Sequence, residues 1–139
     1  MRHNEPVSHI MSTDVKSVHT AQKLSDVYAL LSENRIHHVP VVNGDALIGM
    51  VSSTDMMKLS LDAYGTPDTA NAAFLDSQFP IEDVMSNAMV TVKPDDTIRA
   101  AAELLSKGTF HSLPVVEDGG KLVGIVTTTD LIKYLLAQY

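Results

Sequence analysis

The sequence contains no cysteine, which excludes a disulfide framework and thiol catalysis. It has no block of lysine and arginine either: ten basic residues lie scattered against seventeen acidic ones, for a net charge of −7 with histidine neutral. Duplex nucleic acid and anionic membrane surfaces are therefore poor partners. Aromatic residues make up only 5%, too few for the base-stacking platforms of single-strand binders. No run approaches the roughly 20 apolar residues of a membrane-spanning helix, and the opening stretch MRHNEPVSHIM has no apolar signal-peptide core. The simplest compartment is a bacterial cytosol. A phosphate-binding P-loop, G-x-G-x-x-G, G-x-S-x-G and a nucleophile with an adjacent base are all missing, so no catalytic role is expected. His37 and His38, adjacent on an expected strand, point to opposite faces, and no His-x-x-x-His follows, so no metal site is expected.

What the sequence does have is a repeat. At 139 residues and 45% hydrophobic it suits one folded body. Shifted by 74 residues, Val7 to Ser12 (VSHIMS) meets Ile81 to Ser86 (IEDVMS), Val18 meets Val92, and His37 to Val42 (HHVPVV) meets His111 to Val116 (HSLPVV). One inserted turn residue moves the offset to 75, after which Leu47, Gly49, Val51, Thr54, Asp55 and Lys58 meet Leu122, Gly124, Val126, Thr129, Asp130 and Lys133. The chain is two copies of one supersecondary unit.

Each copy reads as β-α-β-β-α. Short β-branched stretches at 14–18 and 89–92 precede helices expected over 20–31 and 95–105, the second with Asp95 as N-cap after Pro94. A hairpin around Asn43-Gly44-Asp45, or around 117–120, leads into a final helix over 55–61 or 130–137. Such units bury too little alone, so the two are expected to pack as one α/β body about a pseudo-twofold axis. The first repeat spans 7–61 and the second 81–138, with a connector over 62–80 in which Pro67 suggests a short helix. Met11, Met50, Met56 and Met85 suit apolar packing. The last helices, with Met56, Met57, Leu59 and Leu61 in one and Leu131, Ile132, Tyr134 and Leu135 in the other, are apolar on more than one face, which fits a dimer interface.

The motifs V-x-x-I/V-M-S, H-x-x-P-V-V and G-h-h-S/T-x-S/T-D, in this order and twice, make the chain similar to tandem CBS-domain pairs. The resemblance implies clefts between the repeats that bind AMP, ADP, ATP or S-adenosylmethionine, with occupancy signalled to a partner protein. It also implies frequent homodimers. Carried over by position, one cleft draws on Asp130, Thr129, Thr127, His111 and Ser112 with Lys16, Arg35 and Ile36. The other draws on Asp55, Thr54, Ser52, His37 and His38 with Val90, Thr109 and Phe110. Arg35 is the sole arginine among these positions, so a triphosphate is less well compensated than a monophosphate, a diphosphate or S-adenosylmethionine. No obligatory cofactor is implied.

The repeated phrases VSSTD and VTTTD admit two compatible readings. Ser52-x-x-Asp55 and Thr127-x-x-Asp130 fit a capping box, although Asp is shorter than the usual Glu. The resemblance instead puts ribose on each Asp, with phosphate at the hydroxyls and helix amides. A rival from another class is a dimerisation scaffold with empty clefts, in which both Asp residues are caps alone.

Overall fold

The computed structural model describes residues 4–34, 36–62 and 79–139. The chain packs as two units, Lys16–Met89 and Met1–Val15 with Val90–Tyr139.

The unit Lys16–Met89 contains β1 (Val18–His19), α1 (Leu24–Asn34), β2 (His38–Asn43), β3 (Ala46–Ser52), α2 (Ser53–Asp62) and the single turn α3 (Ile81–Val84). β1 runs parallel to β2, with Val18 opposite Val41, and β2 pairs antiparallel with β3. Gly44, at φ 62°, makes the tight turn between them, a left-handed conformation that costs glycine little. Val18, Val39, Val41 and Val51 line the sheet face that meets Leu24 and Val27 of α1 and Met56 and Leu59 of α2. β-Branched residues in the strands and residues at helical spacing in α1 and α2 therefore meet in one apolar cluster.

The other unit repeats the plan with α4 (Ile98–Ser106), β4 (Ser112–Val116), β5 (Leu122–Thr127) and α5 (Thr128–Ala137). Its first strand is reduced to one residue: the Val92 amide donates to Pro114 O at 3.0 Å and Val116 donates to Val92 O at 2.9 Å. Val7, Val92, Ala101, Leu105, Leu113, Val115 and Val126 form its core.

The repeats read along the chain and the packed units differ in one respect. Ser12 exchanges backbone hydrogen bonds with Ile125 of β5 at 2.8 and 3.0 Å, and Ser86 does the same with Met50 of β3 at 2.8 and 3.0 Å. The segment that opens the first repeat thus borders the second repeat's hairpin, and the segment that opens the second borders the first's. Each brings a methionine against a strand glycine. A Cβ on Gly124 would lie 2.6 Å from Met11 Sδ and 3.0 Å from the Ser12 carbonyl oxygen, and one on Gly49 would collide with Met85 Sδ. Glycine recurs at both places because the methionine occupies the space of a side chain. Gly124→Ala is expected to destabilise the protein by about 1–3 kcal/mol, as overpacking does, read as a lower midpoint in urea at unchanged slope.

Two expected helix starts need correction. α1 begins at Leu24 rather than residue 20, because the Gln22 side chain accepts from His19 N–H and Asp26 accepts from Lys23 N–H, holding residues 20–23 in turns. α4 begins at Ile98, capped by Thr97, whose Oγ1 accepts from Ala100 N at 3.0 Å. Asp95 is not the cap, and the Asp96 carboxylate is turned back onto Lys93 N at 2.8 Å. Thr97→Ala is expected to cost about 1 kcal/mol, measured by thermal unfolding. The helix expected after Pro67 lies outside the described residues, as does most of the 62–80 connector.

The final helices divide their apolar residues between two faces. Met56, Leu59 and Tyr134 are buried within their own units and Leu131 packs on its core, whereas Met57 (65% exposed), Ile132 (54%), Leu135 (44%) and Leu136 (68%) lie open. The Leu61 side chain is outside the described residues.

Candidate functional site

A strand that turns directly into a helix leaves the first amides without helical partners, and at each junction the pentapeptide satisfies two of them with its own side chains. Thr127 Oγ1 accepts from Asp130 N at 3.1 Å, and Asp130 Oδ2 accepts from Thr127 N at 2.9 Å. Ser52 Oγ accepts from Asp55 N at 3.0 Å, and Asp55 Oδ2 accepts from Ser52 N at 2.9 Å. Both capping boxes are closed. The aspartate, shorter than glutamate, reaches after all, because β5 and β3 run straight into the helix.

The closed box uses one carboxylate oxygen. Oδ1 of Asp130 and Oδ1 of Asp55 take no hydrogen bond among the described residues. The Thr127 and Ser52 hydroxyl oxygens accept the amide, which leaves each O–H to donate elsewhere. Thr129 and Thr54, one place before the aspartates, are exposed, and their amides have no partner among the described residues. Each junction therefore presents a carboxylate oxygen, a hydroxyl donor and a helix N-terminal N–H, a set able to bind a diol and an anion side by side.

The strand before the hairpin completes the arrangement. Ser112, buried, stands opposite Thr127 across β4 and β5, and His38 stands opposite Ser52 across β2 and β3. His111 O accepts from both Thr128 N at 3.1 Å and Thr128 Oγ1 at 3.3 Å. His37 O accepts from Ser53 N at 2.8 Å. Ser53 and Thr128 were not among the sequence-derived candidates, yet they tie each helix start to the histidine strand. The signal was present, since both are the middle hydroxyl residue of the repeated pentapeptide.

The structure thus brings together Asp130, Thr129, Thr127, His111 and Ser112 in one unit, and Asp55, Thr54, Ser52, His37 and His38 in the other. The remaining candidates belong to the opposite unit from the Asp with which each was grouped: Lys16 and Ile36 to Lys16–Met89, and Val90, Thr109 and Phe110 to the unit of Val90–Tyr139. Ile36, Val90 and Phe110 pack their side chains against the apolar clusters, so what they offer a ligand is backbone. Arg35 lies outside the described residues.

A cavity of about 420 Å³ lined by Lys93, Pro94, Asp95, Glu117 and Asp118 sits at the turn end of β4, away from the Asp130 end. It contains no candidate residue. Lys93 Nζ lies 3.0 Å from Asp118 Oδ1, and that hydrogen bond raises the lysine above its ordinary pKa. No group of three or more metal-binding side chains occurs among the described residues, nor is any described helix long and apolar enough to cross a membrane.

Comparison with known proteins gives the same repeat. The family model for the CBS domain matches residues 7–62 and again 81–137. The protein MJ1225 of Methanocaldococcus jannaschii is 29% identical over 133 residues, covering 94% of this chain and 47% of its own. Its crystal structure superposes with a TM-score of 0.82 at 27% identity, over 95% of this chain and 48% of that one. The chain therefore spans about half the length of this relative. Two solved structures share the fold at 24% identity, each covering 96% of this chain and 98% of its own. CBSX2, in complex with AMP, has a TM-score of 0.80. The CBS domain pair of MJ0100, in complex with 5′-methylthioadenosine and S-adenosylmethionine, has a TM-score of 0.76.

Proposed function

Because this chain belongs to the CBS-domain family, with two copies of the domain in tandem, we propose that its strand-to-helix junctions bind the adenosine portion of a small regulatory ligand. The candidates are AMP, ADP, ATP and S-adenosylmethionine. One observation carries the reading: Asp130 and Asp55 each close a capping box with Oδ2 while Oδ1 takes no bond among the described residues. A ribose offers two adjacent hydroxyl donors, and a half-used carboxylate accepts them without dismantling the cap. The Thr129 or Thr54 amide and the neighbouring hydroxyls would then meet the 5′ substituent. AMP in CBSX2 and the adenosyl ligands of MJ0100 support this choice of chemistry. The role is binding rather than catalysis, in the cytosol.

Occupancy acts on a partner protein through a homodimer formed on the open apolar residues of α2 and α5, Met57, Ile132, Leu135 and Leu136. A ligand shifts such an assembly only by the difference in its affinity for two arrangements. Asp130 and the exposed stripe share α5, so a ligand that pulls on one end of the helix moves the other.

Thermal melting with AMP, ADP, ATP with and without magnesium, and S-adenosylmethionine tests the reading. A ligand at a hundredfold its dissociation constant is expected to add about 2.7 kcal/mol, roughly several degrees. No shift with any of them would favour the scaffold reading, in which both aspartates serve as caps alone.

A further inference from the structure

The two copies differ where the N-terminal segment meets the last helix. Glu5, Pro6 and Val7 stand opposite Phe79, Pro80 and Ile81 at the offset of 74, and Tyr134 stands opposite Leu59 at the offset of 75. In the unit of Asp55 this pair is apolar: Leu59 belongs to the core cluster and Phe79 packs against it. In the unit of Asp130 the same places hold a carboxylate and a phenol, and Tyr134 Oη donates to Glu5 Oε1 at 2.9 Å.

Tyr134 is only 9% exposed and the Glu5 side chain 21%. A carboxylate this sheltered is costly unless it is hydrogen-bonded, and a bond to an ionised acceptor is about twice as strong as a neutral one. The second oxygen is engaged as well, with His9 Nδ1 3.3 Å from Glu5 Oε2. The backbone around it is anchored: Ile98 N donates to Glu5 O at 2.8 Å and Val7 N to Asp96 O at 2.7 Å. Tyr134 follows Asp130 by four residues in α5, so the two lie one turn apart on one face of the helix. A tether at Tyr134 limits how far α5 can rotate or slide, and Asp130 rides on that helix.

We propose that Glu5 and Tyr134 are a positioning pair that holds the first turn of α5, and with it the Asp130 carboxylate, in register for binding. The Asp55 site, with Phe79 and Leu59 in their place, lacks this control. The functional meaning rests on Asp130 being a ligand residue, as proposed above; the tether itself is tested without ligand.

Amide hydrogen exchange on the full chain compares the wild type with Tyr134→Phe, Glu5→Ala, Glu5→Gln, the Glu5→Ala/Tyr134→Phe double variant, and Glu5→Phe/Tyr134→Leu, which copies the other unit. Tyr134→Phe and Glu5→Ala are each expected to speed exchange at Thr127 and Asp130 about threefold to tenfold relative to Ser52 and Asp55, the scale of one net hydrogen bond. The double variant should be no faster than the faster single one, and Glu5→Gln, which keeps a neutral acceptor, should fall between wild type and Glu5→Ala. Glu5→Phe/Tyr134→Leu should remain folded with the faster exchange. Equal acceleration at both caps, additive effects, or unchanged exchange at Thr127 and Asp130 would each overturn the proposal. Calorimetric titration with AMP then separates the two claims. Weaker binding in Tyr134→Phe by a similar factor supports the link to function, whereas AMP binding that survives Asp130→Ala removes the ligand reading and leaves the exchange result standing.

Discussion

Asp130→Ala is expected to weaken an adenosine ligand at its junction by about a hundredfold or more while the protein remains folded. The carboxylate oxygen left open by the capping box would accept two ribose hydroxyls, and bonds to a charged acceptor are worth about 1.5–3 kcal/mol each. Losing the cap costs about 0.5–2 kcal/mol of stability on its own. Asp130→Asn separates the two roles. Its amide oxygen still accepts the Thr127 amide, so the melting temperature should stay near wild type. The charge-assisted acceptor is gone, so affinity should still fall by about tenfold. If both aspartates serve as caps alone, alanine lowers the melting temperature and leaves affinity untouched. Calorimetric titration beside thermal unfolding distinguishes the cases, and Asp55→Ala asks the same of the other junction.

Ile132→Lys combined with Leu136→Lys is expected to convert a dimer into a folded monomer. The two residues are 54% and 68% exposed on α5 and lie four positions apart on one face. Burying an aliphatic side chain of this size contributes about 1.5–3 kcal/mol, and a twofold interface counts each residue twice. The loss should raise the dimer dissociation constant by about a thousandfold or more. Sedimentation equilibrium reads the change directly, and circular dichroism checks that the helices survive. A wild-type chain that sediments as a monomer would contradict the dimer and, with it, the route by which occupancy reaches a partner.

Much of the fold was legible because the sequence states it twice. A hairpin between two valine-rich strands and a hydroxyl-x-x-Asp phrase at a strand end are local patterns, and their recurrence removed the ambiguity that a single copy leaves. Errors arose where several residues compete for one local role. Asp95, Asp96 and Thr97 are all capable N-caps, and the choice fell to Thr97 because Asp96 turns back to Lys93. Long-range packing was not legible at all. Nothing in VSHIMS announces that Ser12 pairs with Ile125, nor in IEDVMS that Ser86 pairs with Met50. Those pairings depend on glycines distant in sequence whose missing side chains make room for the methionines.

The site divides along the same line. His111, Ser112, Thr127, Thr129 and Asp130 follow one another through a hairpin and a cap, and sequence order alone brings them together. The anchoring at Thr128 and Ser53 was missed because both use the backbone amide of the first helical residue, which a side-chain motif does not report, and only Thr128 adds its hydroxyl. Ile36, Val90 and Phe110, expected beside a ligand, put their side chains against the cores.

The most direct measurement is an amide NMR titration of the full chain with AMP. The account predicts chemical-shift changes concentrated at Thr127, Thr129 and Asp130, or at Ser52, Thr54 and Asp55, and their loss at a junction whose Asp is replaced by alanine. Changes absent from both junctions, or gathered instead around Lys93 and Asp118, would contradict it.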